Sequence, residues 1–308
     1  MRVRVIVNPS AGGGRARRVL PEISSAFDRA GIRCEIAETN APNHASELAR
    51  AGRQEGVDVL AAMGGDGTIN EVVQAYLDQD GRPATGPDFA IIPFGTGGDF
   101  RRSFGWEQNL EESVRRIAAG ASRKIDLGAA RFKAADAGSG LRAFVNVCST
   151  GISGVVTRAV NSSSKWLGGR LTFYTASFKA TLGYANQPMQ VTIDGEVVFK
   201  GPVYLLALAN GRFFGGGMKV APEADPSDGV LDCTLHGDLS KIAAISLTSG
   251  MYDGSHLTRA QARSWRGRNF EISPWLVPAE TPIELDGETP GHLPLQVNIL
   301  PGALTLRV

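Results

Sequence analysis

Over the first 127 residues, short apolar runs alternate with stretches whose apolar positions recur at helical spacing. Val3–Val7 predicts a strand. Val19, Leu20, Ile23 and Phe27 then share one helical face, with Pro21 expected to kink that helix. Ile32–Ala37 reads as strand, His44–Gln54 as helix and Val57–Met63 as strand. Ile69–Leu77 reads as helix, Phe89–Pro93 as strand and Leu110–Ala119 as helix. This alternation predicts an α/β domain with a doubly wound, mostly parallel sheet. Ligands of such sheets bind at the carboxyl ends of the strands.

Near residue 127 the pattern changes to strands separated by turn residues. Candidate strands are Ile125–Phe132, Phe144–Cys148, Gln190–Phe199, Val203–Ala209 and Val230–Leu235, then Phe270–Ile272, Ile283–Leu285, Leu295–Leu300 and Leu304–Val308. Helical interruptions are expected near Gly169–Leu182 and Ser240–Tyr252. The predicted second domain is mainly antiparallel, a β-sandwich or barrel. The expected division is residues 1–127 and 128–308. No repeat or low-complexity linker separates the two, so they are expected to contact each other closely.

With 308 residues, 43% of them apolar and 20% charged, the chain can bury a substantial core. Its 32 Lys+Arg against 31 Asp+Glu argue against a nucleic-acid partner, which would call for a basic excess. Cys34, Cys148 and Cys233 are far apart and form no CxxC, which excludes a disulfide scaffold and suits a reducing, cytoplasmic setting. No signal peptide and no run of 18 apolar residues is visible, so any membrane contact is expected to be peripheral.

The glycine clusters carry the candidate chemistry. Val57–Met63 ends in Gly64-Gly65-Asp66-Gly67-Thr68, and Thr68 with Glu71 matches a T-x-x-E capping box. That pattern predicts a helix N-terminus directly after the glycines, where free N–H groups and the helix dipole suit phosphate. Asp66, the one charge amid three glycines, is expected to serve metal or phosphate rather than folding. Asn8-Pro9-Ser10-Ala11-Gly12-Gly13-Gly14 follows the first strand and Phe94-Gly95-Thr96-Gly97-Gly98-Asp99 the fourth, so three loops should crowd one sheet edge. None is a Walker loop or a GxGxxG fingerprint. The first lysine is Lys124, so phosphate charge would fall to backbone N–H groups, Mg²⁺ and arginines such as Arg15 or Arg18.

These motifs together resemble the diacylglycerol kinase catalytic domain family, and more closely its bacterial soluble lipid kinases. The resemblance continues through Asn210-Gly211, Gly215-Gly216-Gly217-Met218, Ala221-Pro222-x-Ala224, Asp228-Gly229-x-Leu231-Asp232 and Ile283-Glu284-Leu285-Asp286-Gly287-Glu288, in the family's order. It implies an ATP-binding first domain and a β-sandwich that faces the lipid and carries the catalytic base. Asn8, Pro9, Ser10, Ala11, Gly12, Thr39, Gly65, Asp66, Gly67, Thr68, Ile69, Asn70, Glu71, Thr96 and Glu288 would then line the nucleotide. Asp286 would take the proton from the lipid hydroxyl. Asp66, Asp99 and Asp126 would organise a catalytic Mg²⁺, while Asp225, Asp228 and the carbonyl of Val230 would hold a structural one. The i, i+3, i+5 spacing of that last set is compatible with one hard cation on a tight turn; composition alone favours a solvated Asp/Pro/Gly turn.

The resemblance further implies a lipid substrate and peripheral membrane association, and the family includes dimers, so a homodimer is among the expected states. One departure stands out: the family has Asn before the Asp of the third motif, and this chain has Gly98. Gly98 motivates one rival reading, a catalytically weak nucleotide- or lipid-binding pseudokinase, and the shared Gly64-Gly65-Asp66-Gly67-Thr68 motif another, an NAD kinase-type small-molecule kinase. Arg259, Arg263, Arg266 and Arg268, interleaved with Trp265 and Phe270, read either as a solvated edge strand or as an anionic-membrane contact. Asp194-Gly195-Glu196 and Asp286-Gly287-Glu288 both read locally as hairpin turns. Only the order of motifs assigns catalysis to the second.

Overall fold

The computed structural model describes residues 1–95, 97–136, 138–162, 177–276 and 280–308. In the first half, β1 (Arg2–Val7), α1 (Arg15–Arg18), α2 (Leu20–Arg29), β2 (Arg33–Glu38), α3 (His44–Gln54) and β3 (Val59–Gly64) are followed by α4 (Asp66–Val73), β4 (Asp88–Pro93), α5 (Asp99–Arg102) and α6 (Leu110–Ala119). The strands run parallel in the order β2-β1-β3-β4, so the chain winds both ways from β1 and β3 as the alternation predicts. Val5, Val7, Ala61 and Met63 face Ile23 and Phe27 on one side, and Ile6, Leu60 and Ala62 face Ile69 and Val72 on the other. Pro21 does not kink a continuous helix. It sits in the first turn of α2, where its missing N–H leaves no helical bond unmade.

The second half contributes β5 (Ser122–Ala134), β6 (Ser139–Phe144), β7 (Val147–Gly151) and α7 (Ile152–Ser162). A helical segment at 177–183 (α8) follows; the rest of the helix expected at Gly169–Leu182 lies outside the described residues. Then come β8 (Gln187–Ile193), β9 (Glu196–Val203), β10 (Leu205–Ala209), β11 (Leu231–His236), α9 (Lys241–Asp253), β12 (Ala262–Gly267), β13 (Asn269–Pro274), β14 (Ile283–Leu285) and β15 (Gly291–Arg307). Five strands form an antiparallel sheet in the order β12-β11-β10-β7-β14. Cys148, Leu206, Leu208, Ile283 and Leu285 of that sheet pack on Met189, Val191, Phe270 and Val297 of a second layer, which makes a sandwich rather than a barrel.

That second layer continues the parallel sheet. β15 pairs antiparallel with β5 and β13, and near its end Leu306 lies opposite Phe89 of β4 in parallel. The two strands expected at Leu295–Leu300 and Leu304–Val308 are thus one strand, interrupted by a register shift between Leu300 and Leu304. One ten-stranded sheet therefore runs through both halves and fixes the glycine loops relative to the sandwich. The run Gln190–Phe199 is a hairpin, turned at Asp194 (φ +49°) and Gly195 (φ +90°). Among the described residues no helix is long and apolar enough to cross a membrane, and the three cysteines are free thiols.

Candidate active site

Three loops meet at the carboxyl edge of the parallel strands. After β1, the N–H of Asn8 donates to Met63 O (3.3 Å) and that of Ser10 donates to Asn8 Oδ1 (3.0 Å). Ala11 N–H donates back to Asn8 O (2.9 Å), curling Asn8-Pro9-Ser10-Ala11-Gly12 over the strand end. Thr39 continues β2 beside it, its N–H on Val7 O (2.9 Å). The loop after β4 is tied to β3 by Phe94 N–H on Gly64 O (3.0 Å). Gly12 has φ +62°, and a Cβ there would stand 3.0 Å from the Phe94 ring, so the first and third loops touch. Thr96 lies outside the described residues.

The helix after Gly64-Gly65 starts earlier than the capping box predicts. Gly65 is the N-cap and α4 opens at Asp66, so Thr68 is already in its first turn. Glu71 does not reach back to that helix end. Its carboxylate accepts from Asn43 N–H and Ala45 N–H (both 3.0 Å), capping the neighbouring helix α3. Asp66 accepts from the N–H groups of Gly98 (2.8 Å), Asp99 (3.1 Å) and Phe100 (3.3 Å). The acid read as serving only metal and phosphate therefore also anchors the third loop. Of Gly65 to Glu71, the structure brings Asp66 to the cavity below the loops, sets Gly67 beside Glu288, buries Ile69 in the core and turns Asn70 toward the sandwich.

The substitution at Gly98 has a local explanation. Gly98 sits at φ +87° and its N–H bonds Asp66, while a Cβ would meet Arg101 Nε at 2.9 Å. Glycine adopts this backbone without strain, and Asp66 holds the loop without a side-chain amide.

Below the loops lies a cavity of about 380 Å³, bounded by the five-stranded sheet and by α7, α8 and α9. One end carries Asp66, Asp99, Glu284 and Asp286; the walls are Ile152, Val156, Leu205, Met218, Leu247 and Met251. Asp286 sits in the tight turn after β14, with φ +48°, followed by Gly287 at φ +93°. Its Oδ1 accepts from Asn146 N–H (3.0 Å) and Val147 N–H (2.9 Å), and its Oδ2 from Val145 N–H (2.9 Å) and Asn70 Nδ2 (3.1 Å). Burial pushes this carboxyl up to about 6, and those same donors hold it from rising further. Asp99 is also raised to about 6, by burial and then by the charge of Asp66, while Gly216 N–H on its Oδ2 (2.7 Å) pulls the other way. Glu288 is exposed beside the second loop; a Cβ on Gly67 would lie 3.6 Å from its Oε1. Asp194, the look-alike, is elsewhere, its carboxylate accepting from Arg268 and Asn269 N–H at the turn before β13.

The motif order did not single out Glu284. Burial raises it to about 7; Ser149 and Gly287 hydrogen bonds oppose the shift, and Asp286 and Asp66 add to it. A signal was available: in Ile283-Glu284-Leu285-Asp286 the two-residue strand period puts both acids on one face.

The metal expectations divide. Asp99 Oδ1 is buried and accepts no hydrogen bond, with only Arg102 Nε nearby at 3.3 Å. Asp66 and Asp99 lie close enough for one charge to raise the other, and two such carboxylates are a donor set that fits a hard divalent cation once Arg102 gives way at Asp99 Oδ1. Asp126 is not with them. Its oxygens accept from Gly229 N–H and Gly302 N–H (both 2.7 Å), pinning the turn before β11 to the irregularity in β15. Asp225 and Asp228 each carry an arginine partner that a cation would have to displace. Arg123 pairs with Asp225 (2.6 Å) and Arg266 with Asp228, while Val230 donates its N–H to Asp228 Oδ1 (3.2 Å). Among the described residues no group of three or more His, Cys, Asp or Glu is arranged to hold a metal. Arg266 is thereby occupied, and Arg259 holds the Ala243 and Ser246 carbonyls of α9. Two of the four arginines read as a membrane contact therefore already have partners within the chain.

Known proteins resemble this chain along nearly its whole length. Residues 2–130 match the diacylglycerol kinase catalytic domain, and residues 146–308 match the YegS C-terminal NAD kinase beta sandwich-like domain. A diacylglycerol kinase of Staphylococcus carnosus is 27% identical over 295 residues, covering 95% of this chain and 90% of its own. One of Bacillus subtilis is 26% identical over 95% of this chain and 91% of its own. A Bacillus anthracis crystal structure superimposes with a TM-score of 0.79 at 23% identity, over 99% of this chain and 94% of that one. An NAD kinase of Archaeoglobus fulgidus, solved with ATP, aligns with a TM-score of 0.52 at 14% identity, over 97% of this chain and 90% of that one. Both halves of the chain are matched in order along nearly their whole length: residues 2–130 belong to the diacylglycerol kinase catalytic domain family and residues 146–308 to the YegS C-terminal NAD kinase beta sandwich-like family.

Proposed function

We propose that the protein is an ATP- and Mg²⁺-dependent lipid kinase that transfers the γ-phosphoryl group to the hydroxyl of a diacylglycerol-like lipid. The observation that carries this reading is the cavity: mostly apolar along its walls, with scattered hydroxyls, and with carboxylates only where the glycine loops overhang it. An acyl chain fits such walls, whereas the ribose and amide groups of a dinucleotide acceptor would bury polar surface against a mostly apolar lining. The glycine loops after β1, β3 and β4 would hold the nucleotide through backbone N–H groups. Asp66 and Asp99 would hold the magnesium ion, which when bound offsets phosphate charge during transfer.

Asp286 would orient the lipid hydroxyl and accept its proton. Three of its four donors are backbone N–H groups fixed by the chain; the fourth, Asn70, is a side chain and can yield its place on Oδ2. Held near 6, the carboxyl is mostly ionised at neutral pH and basic enough to take a proton.

The same reading calls for contact with a membrane. Phe178 and Leu182 are each 52% exposed on α8, and Ile242 is 82% exposed on α9. These helices present Ser177, Thr181, Leu247 and Met251 to the cavity on their other sides, and Lys241 Nζ joins them through Thr181 O (3.0 Å). An apolar outer face on the helices that wall the lipid cavity suits a bilayer better than the arginine segment does.

Incubation with labelled ATP, magnesium and either a lipid panel or NAD tests the assignment. Phosphorylated lipid is expected; phosphorylated NAD without phosphorylated lipid would overturn it in favour of the NAD kinase reading. ATP binding without transfer to any acceptor would favour a pseudokinase.

A further inference from the structure

Asn70 is fully buried, and its amide is held from both ends. Nδ2 donates to Ala143 O and to Asp286 Oδ2 (both 3.1 Å). Turned over, the amide would set its oxygen against that carbonyl and that carboxylate, two buried acceptor–acceptor contacts. The other end, Oδ1, faces two nitrogens, Arg142 Nη2 at 3.3 Å and Gln74 Nε2 at 3.4 Å. Gln74 has little to give it. Ala143 N–H donates to Gln74 Oε1 (2.9 Å) and fixes that amide, and the two hydrogens of Nε2 have nearer acceptors in Asn70 O (2.8 Å) and Ala143 O (2.9 Å). Arg142 is therefore the donor that satisfies Asn70 Oδ1.

Arg142 reaches this spot from β6, where it is half-buried and directly precedes Ala143. The guanidinium donates to the Asn70 carbonyl, and the same amide donates to Asp286. In such a chain each bond polarises the next, so a cation at its head strengthens the N–H at its far end. Without Arg142, Oδ1 is a buried acceptor that lacks a full donor, and the amide gains by turning away from the carboxylate.

Resting on the lipid kinase reading, we infer that Arg142 is a positioning residue for proton transfer: through Oδ1 it fixes the Asn70 amide so that an N–H meets the proton-accepting carboxylate of Asp286 until the lipid hydroxyl takes that place. Arg142 touches neither Asp286 nor the cavity lining, and its whole effect passes through one amide.

The test follows the titration of Asp286 by NMR of isotope-labelled aspartate carboxyl carbons in the protein without substrate, with Asp286→Asn identifying the signal. The other titratable groups near Asp286 are Glu284 on β14, Cys148 on β7 and, at the same end of the cavity, Asp66 and Asp99; the substitutions used leave all of them in place. The wild-type midpoint is expected near 6. Arg142→Met keeps the aliphatic stem and removes the donor, and it should raise the midpoint by about 0.5–1 pH unit, the scale of one weakened hydrogen bond. Asn70→Ala should raise it at least as far. The double variant Asn70→Ala with Arg142→Met should coincide with Asn70→Ala alone, because the second change has nothing left to act through. It leaves no carbonyl orphaned, so it keeps the question open to measurement even if Arg142→Met alone does not fold. The acid limb of the kcat/KM profile on a lipid acceptor should move with the midpoint in Arg142→Met. A midpoint unchanged in Arg142→Met would overturn the inference. So would a further rise in the double variant, which would mean that Arg142 acts on the carboxylate directly. A raised midpoint in a protein that phosphorylates no lipid would instead overturn the lipid kinase reading, and the coupling of Arg142 to Asp286 would stand.

Discussion

Asn70 Nδ2 donates to Asp286 Oδ2 at 3.1 Å, linking side chains 216 positions apart in the chain. Asn70 stands on the helix that begins under the second glycine loop, and Asp286 on a turn of the sandwich. The bond therefore ties the proposed nucleotide edge to the proposed proton acceptor. Asn70 Nδ2 also bonds Ala143 O (3.1 Å), and Gln74 Nε2 bonds the same carbonyl (2.9 Å). Removing the Asn70 amide thus leaves Ala143 O satisfied and takes a donor from Asp286.

That asymmetry gives a pH prediction. The Asn70 hydrogen bond is among the forces that lower the Asp286 pKa, so its loss lets the pKa climb above about 6. In Asn70→Ala, the proton acceptor is then protonated over more of the acid range, and the acid limb of the kcat/KM profile moves to higher pH. Activity should be lost most at pH 6 and recover toward pH 8. A profile parallel to wild type would mean that Asp286 does not titrate in the reaction.

Asp286 and Asp194 provide an internal control, since both occupy Asp-Gly turns with positive φ. Asp286→Asn loses backbone hydrogen bonds and also removes a buried charge whose pKa is raised. These effects oppose each other, so the fold should persist. Turnover is expected to drop at least about a hundredfold, the scale of a lost general base. Asp194→Asn, at an exposed turn, should stay within a few-fold of wild type. Equal losses in steady-state assays would undo the assignment.

The layout of the site was partly legible in the sequence. Valine- and isoleucine-rich runs ending in glycine announced parallel strands and the loops that follow them, and both Asp-Gly pairs formed the turns that their chemistry favours. Glu71 was not legible: Thr68 and Glu71 satisfy a capping box on paper, but Gly65 already caps the helix and the α3 N-terminus competes for the carboxylate. The pairing of Asn70 with Asp286, and the use of Asp126 to pin Gly229 and Gly302, depend on contacts between distant segments, which no local pattern encodes.

Asp66 combines two roles that two substitutions separate. Asp66→Ala orphans three N–H groups of the third loop, so both activity and melting temperature should fall, the latter by a few degrees at about 1–3 kcal/mol. Asp66→Asn retains an acceptor oxygen while removing the charge. It should melt close to wild type and still lose activity by orders of magnitude. A melting temperature unchanged in Asp66→Ala would remove the anchoring role.

The turn at Asp225 and Asp228 gives a metal-removal test. Because Arg123 and Arg266 already neutralise the two carboxylates, the nucleotide-free protein should melt at the same temperature with magnesium or with a chelator. A rise with magnesium that disappears in Asp225→Asn would restore the structural cation expected from the family resemblance.

The proposed membrane face separates cleanly from catalysis. Leu182 and Ile242 are exposed on the far sides of helices that contribute other residues to the cavity, so changing them leaves the cavity lining intact. Partial burial of two such side chains in the bilayer interface contributes on the order of 2 kcal/mol. The double substitution Leu182→Asp and Ile242→Asp should therefore weaken co-sedimentation with lipid vesicles at least about tenfold. Turnover of a short-chain, water-soluble acceptor should change little. Arg263→Gln with Arg268→Gln should affect vesicle binding less than the apolar pair, and should do so only at low salt, where exposed charges act over distance. The reverse ranking would move the membrane contact to the arginine segment and leave the apolar face of α8 and α9 without that role.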